Sequence, residues 1–143
     1  MTITALLNKF LALDTEKVIE NAIDNTAVEL ADINRTRMKD GVKSDGVLMP
    51  TYSKTSQEVF GKPDGPITLF DTGAFQASIT ATRNGNSIIT TQSADLKNDL
   101  LVEKYSNKIF GTGGEYKKNY IKNNLRPAFN EGINLATGLK FGI

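Results

Sequence analysis

The sequence predicts an α+β fold in which a long N-terminal amphipathic helix packs on a small antiparallel β-sheet and a C-terminal helix closes the structure. Three observations support this: helical spacing of apolar residues over 15–40, alternation over 75–91, and helical spacing again over 127–136. The 143 residues are 39% hydrophobic, which suffices for one core and is too little for two full-sized domains. We therefore expect a single domain, residues 1–143.

Two helices are predicted before residue 41. The first, over residues 1–13, is a candidate N-terminal contact helix whose apolar residues are Ile3, Leu6, Leu7, Phe10 and Leu13. The second follows the capping residues Asp14 and Thr15 and ends near Asp40-Gly41. Its apolar stripe consists of Ile19, Ile23, Leu30 and Ile33. Acidic residues cover much of the remaining surface, which is most often simply solvated.

A long extended loop or arm is predicted over residues 40–68, because turn-forming Asp-Gly pairs and three prolines interrupt any periodicity. Loops longer than about 12–15 residues are uncommon in compact domains and are often functional. We expect this arm to contact other subunits or a partner. Its candidate contact residues are Lys43, Asp45, Tyr52 and Phe60. The Asp-Gly-Val repeat lacks the ligand spacing of a calcium loop, so no metal site is predicted.

A β-hairpin is predicted next. Phe75, Ala77, Ile79 and Ala81 alternate with polar residues, and Asn84-Gly85-Asn86 separates them from a second strand over residues 87–91. A short helix from Leu96 to Tyr105 follows. The subsequent Gly111-Thr112-Gly113-Gly114 has neither a P-loop nor a dinucleotide-loop spacing, and we interpret it as a flexible connector.

The last segment combines a basic stretch with the closing helix. Proline is tolerated in a first helical turn, so the helix is expected to begin at Arg126 or Pro127 and to stop at Gly138. The basic side chains before it, interleaved with Tyr116 and Tyr120, are typical of a nucleic-acid patch; they are Lys117, Lys118, Lys122 and Arg126.

The two ends of the chain carry opposite charge. Residues 14–35 contain six acids and two bases, net −4, and residues 115–126 contain four bases and one acid, net +3. A head-to-tail ring needs two different matching surfaces on each copy, and opposite charges are one way to set its register. The two segments can equally pair within one chain, and the sequence leaves both hypotheses open.

The amino-acid composition excludes several classes of catalytic and metal-binding site. There is no Cys and no His, which excludes disulfides, thiolate metal sites and every histidine-based catalytic mechanism. We expect no catalytic residues, no cofactor, no secretion signal and no membrane span. The chain contains Asp71-Thr72-Gly73, and an Asp-Thr-Gly also begins each half of an aspartic protease site. That chemistry needs two such carboxylates and a largely β fold. We interpret these three residues as a structural turn motif, with Gly73 supplying conformational freedom at the entry to a strand.

The order of these elements resembles phage virion morphogenesis and tail-completion proteins. In that broad group a Thr-Gly opens the first strand of a hairpin, and the residues that match here are Asp71, Thr72, Gly73, Phe75, Ser78 and Ile79. A tyrosine before a glycine turn and a proline-aromatic start to the last helix follow, matched by Tyr105, Gly111, Pro127 and Phe129. The resemblance extends from Leu69 onward.

This resemblance implies a non-enzymatic structural protein of a tailed bacteriophage, made in the host cytoplasm and located in the virion. It implies a homo-oligomeric ring that acts as an adaptor at the head-tail junction, with the portal and other neck or tail proteins as partners. Because DNA passes through such rings, weak contact by Lys117, Lys118 and Lys122 is expected. The alternative hypothesis is a nucleic-acid-binding module that uses the basic Tyr/Lys segment.

Overall fold

The fold, in a computed structural model that describes residues 1–85, 87–93 and 95–140, is a set of helices around one β-hairpin, which confirms the predicted α+β class. The helices are α1 (Ile3–Leu11), α2 (Thr15–Lys39), α3 (Lys54–Phe60), α4 (Ala74–Ala77), α5 (Leu96–Tyr105), α6 (Gly114–Tyr120) and α7 (Arg126–Thr137). A 3-10 helix (Ser106–Ile109) follows α5, and a π-helix (Ile121–Leu125) joins α6 to α7. Strands β1 (Thr80–Asn84) and β2 (Ser87–Thr91) form the sheet.

Helix α2 is the axis of the fold, and its predicted limits are confirmed. At its start Asp14 Oδ1 accepts a hydrogen bond from the Lys17 amide at 3.0 Å, and at its end Gly41 has a φ of +66°. The Asp14 contact pairs an amide that the first turn of a helix leaves unpaired, and the positive φ of Gly41 lets its amide bond the Met38 carbonyl as the chain leaves the helix. The first half of α2 packs on α7, where Gly132 allows close approach to Val18. The second half covers the main core.

The main core lies between the second half of α2, the arm and the segment after the hairpin. Its buried members are Met38, Met49, Leu69, Phe75, Ile79 and Ile109. The predicted apolar stripe on α2 is partly confirmed: Ile23 and Leu30 are buried, whereas Ile33 is half-buried and Ile19 is exposed. The stripe contributes less to this core than expected, because Ile23 and Leu30 are not among its members.

A buried arginine joins α2 to two other segments. Arg37 is only 1% exposed, and its guanidinium donates to the backbone carbonyls of Val42 and Ile109 and to Asn34 Oδ1. Desolvation lowers the pKa of Arg37 to about 10. The cation therefore fixes the end of α2 to the start of the arm and to the end of the 3-10 helix.

The hairpin is confirmed, but its first strand begins later than predicted. Thr80 pairs with Thr91 and Asn84 with Ser87, and Gly85 in the connection has a φ of +59°. The predicted third turn residue, Asn86, lies outside the described residues. Residues 74–77 form helix α4 and not a strand. Phe75 and Ile79 are four residues apart, and both are buried by this helix and the turn after it.

The arm over residues 40–68 is more ordered than an irregular loop. Isolated β-bridges join Val42 to Leu48 and Thr51 to Pro66, and α3 lies between the latter two residues. Ser53 Oγ caps α3 by accepting from the Ser56 amide at 3.1 Å, and Gly61 ends the helix with a φ of +62°. Helix α3 interrupts the predicted long loop, and it was missed because seven helical residues carry too little apolar periodicity to be recognised.

The closing helix also differs from the prediction. Helix α7 begins at Arg126, as expected, but the chain before it is already helical from Gly114 through the π-helix. Pro127 therefore lies inside a continuous helical stretch. Proline has no N–H to donate to the preceding turn, and the wider π turn directly before it is where the α-helical pattern is interrupted.

The glycine-rich segment after the 3-10 helix packs against the arm, which corrects its interpretation as a flexible connector. A Cβ atom on Gly113 would lie 2.1 Å from the Ser44 carbonyl oxygen. Ser44 is held in this position because its amide donates to the Lys108 carbonyl at 2.7 Å. Glycine is therefore required at residue 113 for packing.

Candidate interaction surfaces

The Asp71-Thr72-Gly73 motif forms an exposed turn at the entry to α4. Thr72 Oγ1 accepts from the Ala74 amide at 3.4 Å, and Gly73 has a φ of +85°. The predicted turn role is therefore present, although the turn leads into a helix and not a strand. Asp71 instead accepts from Lys62 Nζ at 3.2 Å and from Lys97 Nζ at 2.9 Å.

Both lysines lower the pKa of Asp71, with the Lys97 hydrogen bond as the largest cause. In an aspartic protease two carboxyl groups share one proton, so the pKa of one of the two has to be raised. The two lysines do the opposite at Asp71, because they lower the pKa of its carboxyl group. What this charge cluster does is tie the arm, through Lys62, to α5, through Lys97.

An apolar cleft lies directly beside this charge cluster, and we call it the arm cleft. It has a volume of about 340 Å³ and is lined mainly by aromatic and aliphatic side chains, among them Tyr52, Phe60, Ile67, Phe70 and Tyr105. Phe60 is 72% exposed and Phe70 is 49% exposed. Two of the predicted contact residues, Tyr52 and Phe60, therefore meet in one surface, and large exposed aromatic side chains are the kind that anchor protein interfaces.

The Tyr52 hydroxyl holds the wall of this cleft in place. It accepts from the Thr68 amide at 3.2 Å and lies 3.4 Å from the Thr68 hydroxyl. Gln57 Nε2 donates to the Tyr52 carbonyl at 2.9 Å and so fixes α3 to the same residue. Contacts within the arm thus hold one wall of the cleft in place, and the aromatic side chains that line it stay partly exposed.

The other two predicted arm contacts, Lys43 and Asp45, lie apart from this cleft. They occupy the tight turn between Val42 and Leu48, where Asp45 Oδ1 accepts from the Val47 amide at 3.0 Å. Asp45 is exposed and Lys43 is half-buried. Their turn packs near the glycine-rich segment, so the structure does not bring the four predicted arm residues together.

A second exposed apolar surface lies on α1, which has no buried residue. Lys9 Nζ donates to the Thr137 carbonyl at 2.7 Å and so attaches α1 to the C-terminal end of α7. On another side of α1, Ile3, Leu7 and Leu11 are 85%, 54% and 76% exposed. We call these three residues the α1 stripe. Ile3 and Leu7 belong to the predicted apolar set of this helix, whereas Leu11 does not.

The basic segment is exposed but differs from the predicted nucleic-acid patch. Lys117, Lys118, Lys122 and Arg126 are all exposed along α6, the π-helix and the start of α7. Lys118 pairs with Glu115 at 2.6 Å. The hydroxyl groups of both tyrosines bond within the chain, and the ring of Tyr120 is buried and therefore not available for base stacking.

These tyrosine contacts are specific. Tyr116 donates to Asp40 Oδ2 at 2.7 Å, and buried Tyr120 lies 2.7 Å from Thr26 Oγ1. The Asp40 hydrogen bond is the main cause of a raised pKa for Tyr116, and burial is the main cause for Tyr120. Both side chains fasten α6 to α2.

The opposite charges of the two chain ends do not pair with each other. In the described part of the chain no ion pair joins residues 14–35 to residues 115–126, although α2 packs on α6 and on the π-helix. Two of the acids, Glu20 and Asp24, instead bind Arg83 of β1, each at 2.9 Å. The packing between α2 and α6 therefore does not depend on ionic contacts between these segments.

A further apolar cleft, not predicted, lies between α2 and the π-helix. Its volume is about 260 Å³ and its lining includes Ile19, Ile23, Ile121, Leu125 and Phe129. Ile19 lines this open cleft, which is why it is exposed and not buried with the rest of the predicted stripe. The periodicity of α2 does not distinguish a buried side chain from one that lines an open cleft.

Comparison of the chain with protein-family models, with curated proteins and with solved structures gives no match. Within the described residues, no helix has the length and apolar character that a membrane crossing requires. The same residues contain no group of three or more Asp and Glu side chains arranged to hold a metal ion.

Proposed function

We propose that this protein is a structural virion protein of a tailed bacteriophage, a ring-forming adaptor that links portal and tail at the head-tail junction. The sequence resemblance supplies the virion setting. The observation that carries the assembly role is the presence of two unlike apolar surfaces, the α1 stripe and the arm cleft, at opposite ends of α2.

The length of α2 places these two surfaces on different parts of the subunit. Helix α2 has 25 residues, which corresponds to about 37 Å. An interface that joins two different surfaces of identical subunits repeats from copy to copy and closes into a ring when the rotation permits. A single self-complementary surface would instead give a dimer.

A direct test combines particle analysis and electron microscopy. Mass spectrometry of peptides from purified phage particles should detect this chain in a fixed ratio to the portal protein of the same genome. Negative-stain images of the purified chain mixed with that portal protein should show a ring seated on the portal. Absence of the chain from particles, together with no portal complex, would contradict the proposal.

The second candidate function is nucleic-acid binding, favoured by the exposed row of Lys117, Lys122 and Arg126, none of which has an ion-pair partner in the described part of the chain. Phosphate contacts release counterions, so binding weakens steeply as salt increases. A binding titration with double-stranded DNA at several salt concentrations distinguishes the two functions. Tight, salt-sensitive binding by a chain that ignores the portal protein would favour this candidate.

A further inference from the structure

Helix α1 lies on the surface of the fold with little buried packing. None of its residues is buried. In α2, by contrast, buried residues recur in every turn from Val18 to Met38. The free energy of local opening in a folded protein is lowest where buried apolar contacts are few. Detachment of α1 therefore costs far less than the opening of α2.

A charge-assisted hydrogen bond fixes α1 to the end of α7. Lys9 Nζ donates to the Thr137 carbonyl at 2.7 Å, across 128 positions of the chain. Thr137 is the last residue of α7 and is fully buried, and a helix leaves the carbonyls of its last turn without intrahelical partners. A positive charge at this end also interacts favourably with the helix dipole. Lys9 thus supplies both the donor and the charge that the end of α7 lacks.

The other contacts of α1 with the body are partial. Leu6 is half-buried, and Phe10 makes a further contact although it is 40% exposed. Leu13 in the linker to α2 is also half-buried, and these three side chains follow one another at intervals of four and three residues. Asp14 then caps α2 with its own side chain, so the start of α2 does not need α1.

We propose that α1 is a detachable helix, held on α7 by Lys9 and released while the rest of the fold remains intact. This inference is independent of the proposed adaptor function. Helix α1 has nine residues, and isolated helices shorter than about 12–15 residues are marginal in water, so detachment also unwinds it. Docked and released α1 thus form an order–disorder switch.

Release changes both the reach of the segment and the surface of the body. Extended, residues 1–13 span up to about 44 Å, whereas docked α1 covers about 13 Å along its axis. At the same time the Thr137 carbonyl loses its donor and the side of α1 that carries Leu6 becomes accessible. One lysine contact therefore controls whether this segment lies on its own subunit or extends away from it.

Hydrogen exchange followed by mass spectrometry tests this inference in the full chain. The amides of Leu6 and Ala12 bond to the carbonyls of Thr2 and Asn8, each at 3.0 Å, so this stretch is protected only while α1 is helical. Peptides that cover residues 6–12 should exchange at least about 10-fold faster than peptides from the centre of α2. Exchange in α1 as slow as in α2 would overturn the proposal, because α1 would then open only with the whole fold.

The variant Lys9→Met keeps an apolar stem and removes the donor and its charge. Hydrogen bonds from charged groups are strong enough that exchange over residues 6–12 should become about 10- to 100-fold faster, with exchange in α2 unchanged. Equal exchange of residues 6–12 in this variant and the parent chain would overturn the role of Lys9. Faster exchange in α1 and α2 together would overturn the separate release of α1.

The matched control is Lys17→Met. It replaces an exposed lysine in the first turn of α2 whose side chain makes no hydrogen bond or ion pair in the part of the chain that the structure describes. Exchange over residues 6–12 should match the parent chain, and an acceleration equal to that of Lys9→Met would overturn the assignment of the contact to Lys9.

Chymotrypsin provides a second measurement, because cleavage after Phe10 requires an unwound segment. The rate of this cleavage, followed by the mass of the products, should increase in Lys9→Met by the same factor as the exchange, since both report the population of the open form. A cleavage rate that Lys9→Met leaves unchanged would overturn the proposal.

Discussion

The close approach of Gly113 to the arm makes Gly113→Ala the sharpest test of the fold. The new Cβ would lie 2.1 Å from the Ser44 carbonyl oxygen, whereas ordinary contact begins near 3.4 Å, so the backbone of one segment has to move by more than 1 Å. Such a shift strains the 2.7 Å hydrogen bond from the Ser44 amide to the Lys108 carbonyl. Overpacking costs about 1–3 kcal/mol, and a lost hydrogen bond adds about 1 kcal/mol.

We therefore expect Gly113→Ala to lower the free energy of unfolding by about 2–4 kcal/mol, which corresponds to roughly 6–12 °C in Tm for a chain of this size. The assay is urea unfolding followed by circular dichroism, with thermal unfolding beside it. The matched control is Gly65→Ala, because a Cβ there meets nothing within 4 Å. This variant should stay within about 0.5 kcal/mol of the parent chain. Equal stability of the two variants would refute the packing of the glycine-rich segment on the arm.

Three further predictions concern buried and charged side chains. Arg37→Met leaves the Val42 and Ile109 carbonyls without their donor, so urea unfolding should show a loss of about 2–4 kcal/mol, and an unchanged midpoint would contradict the buried contact. Tyr120→Phe removes one hydrogen bond to Thr26, and the same assay should show a loss of about 1 kcal/mol; a larger loss would mean that the ring has moved. The Asp71 carboxylate, whose pKa lies below its usual 3.8, stabilises the fold above that pH and loses this effect as the pH falls through the lowered value. Stability of Asp71→Asn should therefore vary less with pH below 3.8, and an identical pH profile would count against the lysine contacts.

Elements with a strong local signal were predictable from the sequence. The end of α2 at Asp40-Gly41 follows from a glycine that adopts a positive φ, and the stop of α7 at Gly138 has the same cause. The Asn-Gly signal located the hairpin because Gly85 adopts a positive φ at low cost. In each case one residue type satisfies a backbone conformation that few others tolerate.

Elements with ambiguous periodicity were not predictable in the same way. Phe75 and Ile79 fit both a two-residue and a four-residue repeat, so the sequence predicts a strand where the structure has helix α4. Helix α3 has a recognisable cap at Ser53 and a stop at Gly61, but its seven residues have no buried member to give a pattern. The burial of Arg37 was not predictable either, because one of its partners is the backbone carbonyl of Ile109, 72 residues away, and carbonyl acceptors leave no pattern in the sequence.

The candidate surfaces were predicted only in part for a related reason. Tyr52 and Phe60 were identified as arm contacts, but Phe70 and Tyr105 join them only through the tertiary fold. The basic residues are exposed, whereas the contacts of Tyr116 with Asp40 and of Tyr120 with Thr26 join residues that are 76 and 94 positions apart in the chain. Local sequence does not encode such distant partners, so the aromatic spacing did not show that Tyr120 is buried against α2.

The assembly state of the chain tests the central claim most directly. Native mass spectrometry of the purified protein, alone and mixed with the portal protein of the same genome, resolves the number of copies in each species. The proposed function predicts a discrete multimer or a complex with a fixed ratio of this chain to the portal protein. A chain that remains monomeric at every concentration and forms no complex with the portal protein would contradict it.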